Sequence, residues 1–106
     1  MKVFLKREKS GVDAKGEFDP DTRAVTVLKG SILSTNIAYT EKFRGATSVE
    51  NSRIGVLKGN VLQKNMHFKS ASTAANFVTG SSTNGLIAWK DRSGKTIKEL
   101  IAETEV

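Results

Sequence analysis

From Val12 to Phe18 apolar and polar residues alternate without a break: Val12, Ala14, Gly16 and Phe18 against Asp13, Lys15 and Glu17. A period of two sends successive side chains to opposite faces of an extended chain, so this stretch predicts a half-buried strand. Asp19-Pro20-Asp21-Thr22 follows; proline presets φ for the second position of a type I turn, and aspartate suits the first. Val25 and Val27 then alternate with polar neighbours within Arg23–Lys29, which predicts a return strand and hence a hairpin. Val3–Lys6 predicts a third strand ahead of the pair, and Lys29-Gly30-Ser31 ends it.

Between residues 32 and 46 the pattern dissolves, with Ile32, Leu33, Ile37, Tyr39 and Phe43 scattered among polar residues. Thr47-Ser48-Val49-Glu50 fits a capping box, a threonine oxygen for the third amide and a glutamate reaching back. It predicts a helix over 48–58, ended by Gly59, although Gly55 inside it weakens the propensity. Val61–Phe68 reads as one strand with Leu62, Met66 and Phe68 on a face and Lys64 as the exception. Ser70 is placed to cap a helix over Ala71–Thr79, stopped by Gly80. Its apolar residues Ala71, Ala74, Ala75, Phe77 and Val78 make one helical face, and the alanines let it lie close on a sheet. Ser81–Gly85 is a loop ending in an Asn-Gly turn signal. Leu86–Lys90 predicts a strand, Asp91-Arg92-Ser93-Gly94 a turn, and Thr96–Ala102 a last helix with Ile97, Leu100 and Ile101 facing in.

These elements fill the 106 residues with no repeat, low-complexity segment or linker, and predict a single domain over 1–106. The fold class they predict is α+β: an antiparallel sheet of four or five strands with two or three short helices packed on it. The absence of cysteine excludes disulfides, thiolate zinc sites and a cysteine nucleophile, and a single histidine excludes a His cluster. The longest apolar run is Leu86-Ile87-Ala88-Trp89, far short of a membrane helix, and Met1–Arg7 has no apolar h-region. A soluble, cytoplasmic chain is the expectation.

Charge changes the picture more. The formal charge is +6, and the pI near 9.8. Residues 1–21 balance five bases with five acids, whereas residues 22–95 set eleven bases against Glu41, Glu50 and Asp91. A clustered basic excess attracts polyanions.

Catalytic constellations are scarce. Gly94-Lys95-Thr96 resembles the tail of a phosphate-binding loop, but Trp89 stands where the first glycine is needed. Gly80 and Gly85 have the glycine spacing, yet Leu86 occupies the lysine position. His67 lies on the polar side of a predicted strand between Met66 and Phe68, and Asp19 and Asp21 are explained by turn chemistry. No cofactor, metal site or catalytic residue is predicted, and the chain is not expected to be an enzyme. The helix N-terminus is different: Lys69, Ser70 and Ser72 stand where free amides favour an anion. Ser82 and Asn84 add short donors, and Lys90, Arg92 and Lys95 follow within one strand and turn. Trp89 has the size to stack a base, but a tryptophan in a short apolar run reads first as core.

The run Phe68–Gly80, followed by Ser82, Asn84-Gly85 and Trp89-Lys90-Asp91, resembles a bacterial domain-of-unknown-function family, DUF4357. Val25–Ser31 resembles its earlier V-L-x-G-S element, and Ala14-x-Gly16 the one before. The resemblance covers most of residues 11–97. The chain departs from the pattern at Ala71, where proline is usual, and at Leu86, where an aromatic or polar residue often sits. Such modules often lie C-terminal to GIY-YIG nuclease domains, and the pattern is similar to a module of restriction-system adenine methylases. The resemblance therefore implies work on DNA as a reader rather than the catalyst. The expected function is a non-catalytic DNA-binding accessory module, with Lys69, Ser70, Ser72, Ser82, Asn84, Lys90, Arg92 and Lys95 at the interface. The alternative is a module that docks onto a nuclease or methylase subunit through an apolar patch of Ile32, Leu33, Ile37 and Tyr39.

Overall fold

The computed structural model describes residues 1–40 and 43–104; Glu41 and Lys42 of the charge pattern lie outside them. Its strands are β1 (Lys2–Arg7), β2 (Val12–Phe18), β3 (Val25–Val27), β4 (Leu57–Lys58), β5 (Val61–Leu62) and β6 (Met66–Phe68). Its helices are α1 (Ala46–Arg53), α2 (Ala71–Thr79), α3 (Gly85–Ala88) and α4 (Ile97–Thr104). An α+β fold results, with an antiparallel sheet in the order β1-β2-β3-β6.

The alternation in β2 is reproduced residue by residue: Val12, Ala14, Gly16 and Phe18 are buried, and Asp13, Lys15 and Glu17 are exposed. The β2–β3 turn is closed by the Asp19 carboxylate, which accepts the backbone N–H of Asp21 at 2.9 Å and of Thr22 at 3.4 Å. Beyond the strands proper, the sheet is widened by single bridges. Lys90 bridges Phe4 on the outer edge of β1, and Ile32 links Asp13 of β2 to Val61 of the β4–β5 hairpin.

One face of this sheet is covered. α2 packs on β2, β3 and β6, and its three alanines are buried as the short side chains predict. Ser70 caps α2 by accepting the N–H of Thr73, and Gly80 ends it in the left-handed region at φ +67. Trp89, fully buried, lies against β2 where Gly16 leaves room: a Cβ on Gly16 would stand 3.3 Å from the indole. Its Nε1–H donates to the Ala71 carbonyl at 3.1 Å, so the tryptophan ties the start of α2 to the sheet. Ile97 of α4, with the partly buried Ile101, closes the same core, and Leu100 is buried beside them on the helix.

Four expectations are corrected. The helix predicted over 48–58 runs from Ala46 to Arg53, and no side chain caps it, so Thr47 is not a cap. Gly55 at φ +75 turns the chain after it, and Gly59 serves the β4–β5 turn. The strand predicted over Val61–Phe68 is two strands, β5 and β6, in different sheets, broken near the Lys64 that violated its alternation. The strand predicted over Leu86–Lys90 is helix α3 followed by the buried Trp89 and the bridging Lys90, and the Asn-Gly signal marks its start, with Asn84 the N-cap and Gly85 the first helical residue. Asn84 accepts the N–H of Leu86 at 3.1 Å, which nucleates a helical turn in a sequence too short and apolar to declare itself by period.

Candidate nucleic-acid interface

The residues from Ser70 to Gly85 are brought together by packing. Ser70 Oγ bonds Thr73, and Ser72 Oγ accepts the N–H of Gly85 at 3.0 Å. Gly85 has to be glycine: a Cβ there would lie 2.1 Å from the Ala71 carbonyl carbon and oxygen. Asn76 Oδ1 accepts the N–H of Thr83 at 2.9 Å, and Thr79 Oγ1 meets Thr83 Oγ1 and the Ser81 carbonyl. Thus α3 begins in direct contact with the first turn of α2. The polar atoms of Ser70, Ser72 and Asn84 each carry a structural bond, while Ser82 and Lys69 stay exposed.

The next segment is organised by Asp91. Its Oδ1 accepts Ser93 Oγ–H at 2.7 Å, Ser93 N–H at 2.9 Å and Lys95 N–H at 3.0 Å. The Ser93 hydroxyl first, and the two backbone amides with it, hold this carboxyl below the usual aspartate range. The turn closes on Gly94 at φ +91 and leaves Lys90, Arg92 and Lys95 exposed. Lys95 is not a free cation: its ammonium pairs with the Glu103 carboxylate, which also raises its pKa.

Lys90 exchanges both backbone hydrogen bonds with Phe4, at 2.7 and 2.9 Å. Directly opposed residues share a face, and Phe4 in turn opposes Lys15. A cross-strand row Lys90–Phe4–Lys15 therefore runs over the face of the sheet away from α2. Phe4 is half-buried, and both lysines are exposed. The Arg92 guanidinium stands over the Phe4 ring, 6.0 Å from its centroid. Lys2 opposes Glu17 and Lys6 opposes Asp13 in the flanking rows, so acids accompany those lysines. The central row contains none.

Of the eight residues predicted for the interface, Lys90, Arg92 and Lys95 thus fall in one turn, and Ser70, Ser72, Ser82 and Asn84 around the start of α3. Lys69 follows β6 at one edge of the sheet, whereas Lys90 lies beyond β1 at the other. Sequence reasoning missed Phe4 and Lys15 as members of the basic group. The signal was present: the period of two that made β1 and β2 strands also sorts both outward, once their register is known.

His67 is exposed on the same outer face, and its Nδ1 lies 3.1 Å from Thr26 Oγ1. It shares a shallow cleft with Glu17 and Asp19, but the Glu17 carboxylate pairs with the Met1 amino group at 3.2 Å. Among the described residues no group of three or more metal-ligating side chains comes together, and no helix is long and apolar enough to cross a membrane. The four residues of the proposed apolar patch separate: Leu33 is buried in the main core, Ile37 packs with Phe43, and Ile32 and Tyr39 are exposed.

Residues 4–101 match the model of a family described as a domain of unknown function, DUF4357, and the chain belongs to that family. No curated protein and no solved structure matches it.

Proposed function

We propose that this chain is a non-catalytic DNA-binding module, an accessory reader for a nuclease or restriction–modification type system. The observation that carries the reading is the Lys90–Phe4–Lys15 row with Arg92 above it: three cations around an aromatic ring, on an open sheet face, with no carboxylate in the row. A polyanion backbone gains most from cations held in no ion pair, and among the described residues none joins Lys15, Lys90 or Arg92 to a carboxylate, although Asp13 and Glu17 flank Lys15 on the same face. Lys15, Lys90 and Arg92 neutralise phosphates in this reading. Lys95, beside Glu103, and Lys69, at the far edge of the sheet, extend the contact. The resemblance to modules carried behind GIY-YIG nuclease domains supplies the context, in which the partner cuts or methylates and this chain holds the DNA.

Docking onto a nuclease or methylase without touching DNA is the second reading. It is favoured by the exposure of Leu86 at 38% and Ile87 at 51% on α3. Fluorescence anisotropy of labelled DNA at two salt concentrations separates them. Direct binding gives an affinity that falls with salt, and the triple variant Lys15→Ala/Lys90→Ala/Arg92→Ala loses about 2 to 3 from the log–log slope. No binding at low salt overturns the proposal in favour of docking.

A further inference from the structure

We infer that the outer sheet face takes single-stranded DNA, with one base stacked on Phe4 beneath the Arg92 guanidinium. The inference rests on the DNA-binding reading and specifies its ligand. A duplex offers the Lys90–Phe4–Lys15 row only phosphates, because its bases are stacked on one another and side chains on a sheet face do not enter a groove as a helix or a two-stranded ribbon does. A single strand offers base faces as well, and aromatic residues on an open sheet between cations are the platform that such bases use.

The geometry suits a base. Phe4 projects from β1 on the side opposite the packed helices, half-buried between its two lysine neighbours. Phe4 and Lys90 are a hydrogen-bonded antiparallel pair, about 5.5 Å apart at Cα, and Phe4 and Lys15 a non-hydrogen-bonded pair, about 4.5 Å apart, so the two lysines bracket the ring over roughly 10 Å. That places an ammonium on each side of a stacked nucleotide, where its two flanking phosphates run. Arg92 sits 6.0 Å from the ring centroid. A base sandwiched between ring and guanidinium needs about 6.8 Å, two base-stacking steps of about 3.4 Å. The guanidinium has to retreat by less than about 1 Å, and it stands on an exposed turn held by Asp91 rather than in the core. A planar cation keeps its attraction for a base face in that position.

The test uses the whole chain with single-stranded and duplex oligonucleotides of equal length, the single strand carrying 2-aminopurine among thymines. Phe4→Leu keeps an apolar strand residue and removes the π face; thermal unfolding checks that it folds. The expected result has three parts: tighter binding of the single strand than of the duplex, quenching of 2-aminopurine on binding, and a loss of about 5- to 150-fold in single-strand affinity in Phe4→Leu. Duplex affinity in that variant falls by less than single-strand affinity. Equal affinities with no quenching, or a Phe4→Leu chain that binds the single strand as well as the parent, overturns the inference. The DNA-binding reading then still stands if Lys15→Ala/Lys90→Ala/Arg92→Ala flattens the salt dependence. Failure of both oligonucleotides to bind at low salt overturns both. Should Phe4→Leu unfold, Arg92→Lys decides: it keeps the charge and loses the plane, so 2-aminopurine quenching falls, and undiminished quenching overturns the inference.

Discussion

Arg53 offers the sharpest test of how this fold is held. It is the last residue of α1 and is 9% exposed. Its Nε and Nη2 donate to the Phe77 carbonyl at 3.0 and 2.7 Å, Nη1 to the Ser34 carbonyl at 2.9 Å, and Nη2 to Ser34 Oγ at 3.1 Å. Phe77 is in the last turn of α2, where carbonyls lack helical partners and the helix dipole is negative. Desolvation pulls the pKa of the guanidinium down, and no carboxylate touches it among the described residues; oriented carbonyls hold the charge instead. The consequence of Arg53→Met follows from these bonds. The stem volume is kept, while the Phe77 and Ser34 carbonyls are left buried without a donor, at about 1–3 kcal/mol each. Relief of the guanidinium's own desolvation offsets part of this. A net loss of about 3 kcal/mol is expected, which for a domain near 100 residues lowers Tm by roughly 12–15 °C. Urea and thermal unfolding of the parent, Arg53→Met and Arg53→Lys measure it, with exposed Arg44→Ala as the control. Arg53→Lys should fall between, because an ammonium cannot reproduce the fork. A Tm change below about 3 °C for Arg53→Met would refute the account, since it would mean that water or a rearranged backbone satisfies both carbonyls at no cost.

Gly85→Ala forces a Cβ to 2.1 Å from the Ala71 backbone, so α3 must lift from α2; a loss of about 3 kcal/mol or more by urea unfolding is expected. Gly94→Ala, at φ +91 with open space around it, strains only its own turn and should cost about 1–2 kcal/mol in the same assay. Thr96 caps α4, accepting the Glu99 N–H at 3.2 Å while Glu99 returns a bond to the Thr96 amide; Thr96→Ala should cost about 1 kcal/mol. Asp91 supplies a pH dependence. Its folded pKa lies below its unfolded value, so its stabilisation of the turn is present above the ordinary aspartate range and fades as pH falls through the depressed folded value. The amide NMR signals of Ser93 and Lys95 should titrate with that lowered midpoint, and a midpoint at or above the ordinary value would contradict the hydrogen bonds described. Asp91→Ala removes a negative charge beside the basic row yet should weaken DNA binding, because Lys90 and Arg92 lose the turn that aims them.

What was legible in the sequence was whatever a local pattern decides. The β2–β3 hairpin followed from strict alternation and a proline turn, and α2 from a serine cap, a helical stripe of alanines and a terminal glycine. The elements misread had local signals that competed. Thr47-x-x-Glu50 has the letters of a capping box, but Glu50 instead accepts the Tyr39 hydroxyl at 2.7 Å, and the helix had already begun at Ala46. The box that forms is Thr96-x-x-Glu99, at the start of α4. Leu86–Trp89 is apolar throughout, and four apolar residues fit a strand or a helix turn equally; the close approach of Gly85 to Ala71, a tertiary fact, selects the helix. Arg53 could not be found by pattern at all, because its partners Ser34 and Phe77 belong to segments 19 and 24 residues away.

The same distinction bears on where function is to be sought. The stretch in which the sequence most resembles the family runs through Ser70, Gly80, Asn84, Gly85 and Trp89. Each of these has a structural reason for its identity: a cap, a left-handed turn, a second cap, a close approach, and an indole that fills the core. A motif so fully occupied by packing says how the scaffold is built and leaves little to bind with. Lys90-Asp91 is where scaffold and surface join. Trp89 anchors the segment from inside, the Lys90 backbone is locked to β1, and Asp91 folds the next turn back over Phe4. The recognisable residues therefore position Lys90, which the motif includes, and Arg92, which it does not. Lys15 and Phe4, which complete the group, lie 75 and 86 residues from Lys90 along the chain but in one row across the sheet. If that row is the binding surface, variation in the ligand preferred by related chains should track the outward positions of β1 and β2 and the residue after Asp91, while the serine–alanine helix stays as it is.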